Sequence, residues 1–166
     1  MNFDNNFAAN SLKGPSEVWL CDLTYTQQTI ASDTIPMAVA GIATYTEAHI
    51  PTVGNIRIFK YPEDLCAAIE NDGPPNIIGF SNYVWNFHLG YAIADILSRE
   101  YPETLIIFGG PNYPLNHIEQ ERFLHSYPAI DIYIAHEGEY AFFNVVKTFM
   151  GVEKDKAKLR EACLPS

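Results

Sequence analysis

A chain of 166 residues, 48% of them hydrophobic and 18% charged, fits one globular domain with a real core and excludes an intrinsically disordered protein. Its formal net charge of -10 disfavours nucleic acid and anionic membrane surfaces as partners, because both are negatively charged. No apolar run approaches the roughly 18 residues that cross a membrane, and no signal peptide is visible, so a soluble cytoplasmic protein is expected.

The first half of the chain alternates strand and helix patterns. Residues 1–15 are expected to form a flexible arm, because a Gly-Pro pair ends this polar stretch. Strands are predicted at 17–23 and at 55–61, the second near a sheet edge because its apolar and polar residues alternate. Helices are predicted at 34–50 and at 62–71.

The second half continues the alternation. Three further strands are predicted at 76–81, 104–110 and 130–139, the last of which runs into a loop. Helices are predicted in the later part of 82–101 and at 115–127 and 140–150. The remaining residues, 151–166, are highly charged and are typical of a solvated helix or a linker.

Strands that alternate with helices through short connections predict a parallel sheet covered by helices on both faces. Five such units fit a flavodoxin-like, doubly wound α/β fold with strand order 2-1-3-4-5. The predicted domain extends over residues 16–150.

Ligands of open α/β sheets bind beyond the carboxyl ends of the strands. This rule selects four segments: DLTYTQQTIASD, SNYVWN, GGPNYP and HEGE. The candidate binding residues in them are Thr24, Tyr25, Thr26, Gln27, Ser81, Asn82, Tyr83, Trp85, Asn86, Gly109, Gly110, Pro111, Asn112, Glu137, Gly138 and Glu139.

Each segment also has a purely structural interpretation. The long polar segment after the first strand is alternatively a surface loop without a ligand. Ser81 or Asn82 alternatively caps the next helix while Tyr83 and Trp85 pack inward. The Gly-Gly pair is alternatively a tight turn.

The two glutamates of HEGE are open to two roles. Glu137 and Glu139 have the chemistry for acid/base catalysis, and they equally suit the start of the final helix, where the dipole favours negative charge. His136 beside them is the histidine nearest to this edge of the sheet.

Common catalytic and nucleotide-binding motifs are missing. The sequence has no GxGxxG, GxxxxGK[ST] or GxSxG pattern. The three cysteines, Cys21, Cys66 and Cys163, form no CxxC pair, which argues against a zinc or iron–sulfur site and favours reduced thiols. Asp22 lies where a receiver-domain phosphoacceptor would, but the other residues of such a site are not at matching strand ends.

Three stretches taken together, IIGFSNYVWN, TLIIFGGPNYP and DIYIAHEGEYAFFNVV, resemble the N-terminal cobalamin-binding-type domain of radical SAM enzymes. The resemblance extends from about Val18 to about Met150, and its motifs occur in the order and at the spacing of that family. It implies a flavodoxin-like domain that holds cobalamin against the carboxyl ends of its strands. Ser81 then stands near the family's serine position, and Gly109 and Gly110 match the glycines that admit the nucleotide tail.

Two departures from the family refine this expectation. Many cobalamin domains carry DxHxxG after the first strand, with a histidine that ligates cobalt, whereas this chain has CDLTYTQ. The segment from Thr24 to Asp33 would then face the lower side of the corrin without an imidazole. The sequence also has no CxxxCxxC motif, so a [4Fe–4S] cluster and S-adenosylmethionine would belong to a separate radical SAM domain, towards which residues 151–166 would lead.

Three functions follow as hypotheses. The first is a cobalamin-binding module that positions the corrin for a separate catalytic domain, possibly one that transfers methyl groups. The second is a structural or interaction domain with the same fold and no cofactor. The third is a small enzyme that uses Glu137 and Glu139, for which the sequence offers no partner nucleophile.

Overall fold

The computed structural model describes residues 17–26 and 35–162. Its strands are β1 Val18–Cys21, β2 Arg57–Phe59, β3 Ile77–Ser81, β4 Leu105–Gly109 and β5 Ile132–Ile134. Its α-helices are α1 Met37–His49, α2 Pro62–Asp72, α3 Phe87–Glu100, α4 His117–Ser126, α5 Gly138–Gly151 and α6 Lys156–Glu161, and a 3-10 turn covers Pro51–Val53.

The five strands form one parallel sheet in the order β2-β1-β3-β4-β5. The predicted fold class, strand order and edge position of the second strand are therefore confirmed. The register places Ser81 beside Gly109, and Gly109 beside Ile134, so the carboxyl ends of β3, β4 and β5 are level. The loops that follow these strands consequently meet at one edge of the sheet.

The core has two layers because successive strand residues point to opposite faces. One face of β1 contributes Val18 and Leu20, which pack with α1 and α5. The other contributes Trp19 and Cys21, which pack with α2 and α3. β1, β3 and β4 are apolar on both faces because helices cover both sides, as is usual for parallel sheets.

The last predicted strand differs most from the structure. Strand pairing in β5 ends at Ile134, and α5 already begins at Gly138. The stretch 130–139 was therefore predicted too long as a strand. Its EGE tripeptide forms the start of α5, with Glu137 as the residue before the helix and Glu139 in the first turn.

The charged C-terminal segment packs against the domain through α6. Leu159 is buried in the α1/α5 layer of the core. The Lys156 ammonium lies 2.5 Å from the Asp131 carboxylate and donates to the carbonyls of Pro102 and Thr104. This helix is consequently not simply solvated, although its other side chains are largely charged. Within 17–26 and 35–162, no helix is both long and apolar enough to cross a bilayer.

Candidate functional site

A cavity of about 350 Å³ opens at the carboxyl edge of the sheet, between the sheet and helices α1 and α5. Its walls are mainly apolar and include Leu20, Ile107 and Phe142. Its polar lining side chains are Ser81, Tyr83, His136 and Glu139. A mostly apolar pocket with a few polar groups is the usual form of a small-molecule or cofactor site.

A hydrogen-bond network joins the loops that follow β3 and β4 at this edge of the sheet. The fully buried side chain of Asn82 donates to the Asn112 carbonyl and to the Tyr133 hydroxyl, at 2.9 Å each. Asn112 Nδ2 donates back to Asn82 Oδ1, and the Tyr133 hydroxyl donates to the Gly110 carbonyl at 3.0 Å. These bonds hold the Gly-Gly turn in one conformation.

Burial and this hydrogen-bond network both affect the pKa of Tyr133. Desolvation raises the pKa of Tyr133 to about 12, while the hydrogen bond from Asn82 opposes the rise. The phenol is therefore protonated at neutral pH, which it must be to donate to Gly110.

A second network lies between the ends of β1 and β3. The Ser81 hydroxyl donates to Asp22 Oδ1 at 2.5 Å. The buried Asn86 amide donates to Ser81 Oγ at 2.9 Å and to Asp22 Oδ1 at 3.3 Å, and it accepts from the Tyr83 N–H. Neither Ser81 nor Asn82 caps α3, since Asn86 precedes that helix and makes no capping bond. The capping interpretation of SNYVWN is therefore wrong.

Trp85 lies on the surface rather than in the core. Its side chain is 66% exposed, and it stacks on Tyr83 with ring centroids 4.6 Å apart and planes within 6° of parallel. The expectation that both rings pack inward is wrong for Trp85. Because Tyr83 lines the cavity, the stacked pair extends an apolar surface from the cavity to the outside of the edge.

The two glutamates of HEGE have different surroundings. Both residues are exposed, but Glu139 lines the cavity beside α1 and Glu137 does not. Glu137 precedes α5, and its side chain makes no capping bond. A capping role for Glu137 through its side chain is thus wrong, whereas Glu139 lies in the first turn, where the dipole favours it.

The described part of the segment after β1 ends at Thr26 and contacts the end of β2 and the first turn of α2. The Thr24 N–H donates to the Lys60 carbonyl, and the Thr26 hydroxyl donates to Glu63 Oε1 at 2.6 Å. This side-chain bond is the main reason why the pKa of Glu63 is lowered. Thr24, Tyr25 and Thr26 do not line the cavity, and Gln27 lies outside the described residues.

The structure thus divides the described candidate residues into three groups, one of which, Thr24, Tyr25, Thr26, Trp85 and Glu137, neither lines the cavity nor belongs to the two hydrogen-bond networks. Those that line the cavity are Ser81, Tyr83, Gly109, Gly110, Pro111, Gly138 and Glu139. Asn82, Asn86 and Asn112 do not line the cavity, but their side chains form hydrogen bonds that hold the lining loops.

Several lining residues were missed by the loop rule. They are Leu20, Ala38, Val39, Ile42, Gly79, Phe80, Ile107, Phe108, Ile134, Ala135, His136 and Phe142. Most are apolar residues of strands or of α1, and their sequence pattern matches that of ordinary core positions. His136 differs from the others, because the rule selected its segment, HEGE, although His136 was not among the candidate binding residues.

Fold and cavity together define a flavodoxin-like domain with an open cavity between its sheet and helices α1 and α5. The sequence model of the B12 binding domain matches residues 26–146. That range is most of the chain, so the protein belongs to the B12-binding domain family. The resemblance stated from the sequence is confirmed, and cobalamin is the cofactor that this family indicates.

Two curated proteins with similar sequences extend the comparison. The cobalamin-dependent radical SAM methyltransferase TokK of Streptomyces tokunonensis is 28% identical over 125 residues, which are 73% of this chain and 18% of TokK. The 2-(S-pantetheinyl)-carbapenam-3-carboxylate methyltransferase of Streptantibioticus cattleyicolor is 28% identical over 115 residues, 65% of this chain and 16% of that enzyme. The chain therefore spans less than a fifth of the length of either relative.

Proposed function

We propose that this chain is the cobalamin-binding module of a radical SAM methyltransferase and that it positions the corrin for a separate catalytic domain. The observation that carries the proposal is the open cavity between the sheet and helices α1 and α5, in a domain of the B12-binding family. The similarity to two methyltransferases supports the methyl-transfer part.

The size and lining of the cavity fit the nucleotide tail of cobalamin. A cavity of about 350 Å³ is within the roughly 300–1,000 Å³ that small-molecule sites occupy. Its apolar walls suit an aromatic base, and Ser81, Tyr83 and His136 offer hydrogen-bonding partners to sugar and amide groups. We assign the nucleotide tail to this cavity.

The corrin ring would lie outside the cavity, over the sheet edge. The exposed stack of Tyr83 and Trp85 offers an apolar face of the right kind for the underside of a flat macrocycle. Residues 22–33 contain no histidine. The cobalt would consequently receive no imidazole from this segment.

When bound, cobalamin would supply a methyl-carrying cobalt centre; the chain's own residues would only bind and orient it. The [4Fe–4S] cluster and S-adenosylmethionine would belong to the catalytic domain of the parent protein. We assign the cluster to another domain because this sequence has no CxxxCxxC motif to hold it.

The cofactor-free alternative predicts a cavity filled by nearby aromatic side chains. A side chain of Tyr25, Trp85 or Tyr113 inside the cavity would support it. None of them lines the cavity, and Tyr113 instead stacks on Tyr133 at 3.8 Å. This arrangement favours the cofactor-binding function.

The test is retention of hydroxocobalamin by the purified chain. The protein is mixed with the corrinoid, desalted and examined by visible absorbance, with a protein of similar size and charge as the control for carry-over. We expect near-stoichiometric corrin absorbance in the protein fraction. A spectrum without corrin bands would contradict cobalamin binding by this module.

A further inference from the structure

Tyr133 is a residue of β5 that contacts the Gly-Gly turn without lining the cavity. Its ring is stacked on Tyr113, with centroids 3.8 Å apart and planes within 9° of parallel, and Phe123 packs against it edge-on at 5.8 Å. These two rings fix the position of the Tyr133 hydroxyl, which lies 3.0 Å from the Gly110 carbonyl oxygen. The turn therefore meets a hydroxyl group that has little freedom to move.

The directions of the hydrogen bonds around this hydroxyl follow from which groups can donate. The Asn112 main-chain carbonyl only accepts, so the amide atom of Asn82 that faces it at 2.9 Å must be the nitrogen. The second hydrogen of that nitrogen is directed to the Tyr133 oxygen, also at 2.9 Å. Tyr133 has a single hydrogen of its own, and the Gly110 carbonyl receives it.

The Gly110 carbonyl needs such a donor because glycine restricts its own backbone less than any other residue. The Asn82 N–H already holds the preceding carbonyl, that of Gly109, at 2.6 Å. The bond from Tyr133 then directs the Gly110 carbonyl towards a side chain that is not part of the cavity lining. Without this bond, the carbonyl can rotate towards the cavity mouth, which Gly110 itself lines.

We propose that Tyr133 is a positioning residue whose hydroxyl keeps the Gly110 carbonyl out of the path by which a ligand enters the cavity. Its effect on binding passes through the turn, because Tyr133 does not line the cavity. The inference rests on the proposed function, in which the nucleotide tail of cobalamin occupies this cavity. Affinity for the tail, rather than for the corrin ring, then depends on one hydroxyl group of β5.

The test compares two corrinoids on two matched tyrosine variants. Hydroxocobalamin carries the nucleotide tail, and cobinamide has the same corrin ring without it. Tyr133→Phe keeps the ring and its stacking but removes the hydroxyl. Tyr91→Phe is the control, because Tyr91 packs in the same layer of the core while its hydroxyl interacts with the Ala129 backbone instead of the turn. Dissociation constants are measured by absorbance titration, and urea unfolding reports stability.

We expect Tyr133→Phe to weaken hydroxocobalamin binding about fivefold, the usual size of one hydrogen bond between neutral groups. Its affinity for cobinamide should stay within about twofold of the wild type, because cobinamide has no tail to enter the cavity. Tyr91→Phe should leave both affinities unchanged, even if its urea midpoint falls as far as that of Tyr133→Phe. The ratio of the two dissociation constants is thus a readout that a merely stabilising hydroxyl would not change.

Three results would overturn the inference while leaving cobalamin binding intact. They are an equal loss of both corrinoids in Tyr133→Phe, a wild-type affinity of Tyr133→Phe for hydroxocobalamin, and an equal change of the ratio in Tyr91→Phe. A wild type that binds both corrinoids equally well would remove the tail from the cavity, and the inference with it. A wild type that binds neither corrinoid would overturn the proposed function itself.

Discussion

The carbonyl oxygen of Asn82 occupies the space where a side chain on residue 110 would begin. A Cβ built on Gly110 would lie 2.6 Å from that oxygen. Gly110 also has a φ of 133°, which side-chain-bearing residues rarely adopt. The turn after β4 therefore depends on glycine at this position for two independent reasons.

Gly110→Ala should lower the free energy of unfolding by about 2–4 kcal/mol, since it combines backbone strain with a contact to an immobile backbone atom. Urea denaturation measures the change. Gly151→Ala is the matched control, because a Cβ at Gly151 meets nothing within 4 Å. Equal stability of the two variants would contradict the strained-turn interpretation.

Gly109→Leu should block insertion of the cobalamin tail and leave the protein folded. Gly109 lines the cavity, and a Cβ there meets the Ile134 carbonyl oxygen at a tolerable 3.4 Å. Corrin absorbance after desalting reports binding, and circular dichroism reports folding. If both the affinity and the melting temperature are unchanged, Gly109 is neither a ligand contact nor a strained turn.

Alkaline pH should destabilise the protein through Tyr133. Its pKa is raised from 10.0 to about 12 in the folded state, so the fold favours the protonated phenol. The stabilisation is complete below pH 10 and is lost as the pH rises from about 10 to about 12. Urea midpoints across this range should fall more steeply for the wild type than for Tyr133→Phe. Parallel curves would show that Tyr133 does not contribute.

Lys156→Met should destabilise the domain by about 2–3 kcal/mol, because it leaves the largely buried carboxylate of Asp131 without its nearest cation. Arg160, at 3.3 Å from Asp131, limits the loss. Lys158→Met is the control, since Lys158 forms only exposed ion pairs. Similar unfolding midpoints for both variants would show that α6 is not anchored through Lys156.

Trp85→Ala should change the free energy of unfolding by less than about 0.5 kcal/mol, as is usual for an exposed side chain. Its affinity for cobalamin should nevertheless fall about tenfold if the ring supports the corrin. Ile96→Ala, at another exposed apolar residue, is expected to change neither quantity. A Trp85→Ala variant with wild-type affinity would remove Trp85 from the site.

The fold was predictable because its signals are local and repeated. Continuous apolar runs at β3 and β4, each followed by a helix pattern, require a sheet that is covered on both faces. The fifth strand was predicted too long because its apolar pattern is followed within a few residues by the start of α5. The family was indicated by the resemblance of three stretches between Val18 and Met150, including the GGP and EGE motifs, to known domains.

The site was predictable only in part, for a reason of geometry. The loop rule selects polar and glycine residues after each strand, and it correctly placed Ser81, Tyr83 and the Gly-Gly turn at the cavity. It could not find Leu20, Val39 or Phe142, because an apolar residue that lines a cavity has the same sequence pattern as one that fills a core. Thr24 and Thr26 satisfied the rule, yet they bond towards β2 and α2.

The sequence by itself determined the fold class and the strand order, which follow from the alternation of strand and helix patterns, and it indicated the family through the resemblance of three stretches to known proteins. Only the tertiary structure decided which side chains face the cavity and which support it from behind. Asn82 and Asn86 illustrate the difference: in the sequence they are polar loop residues like Ser81, but packing buries them and commits their amides to neighbouring groups. Their partners are 3 to 64 residues away in the chain, and only folding brings the distant ones together, such as Asp22 and Asn86.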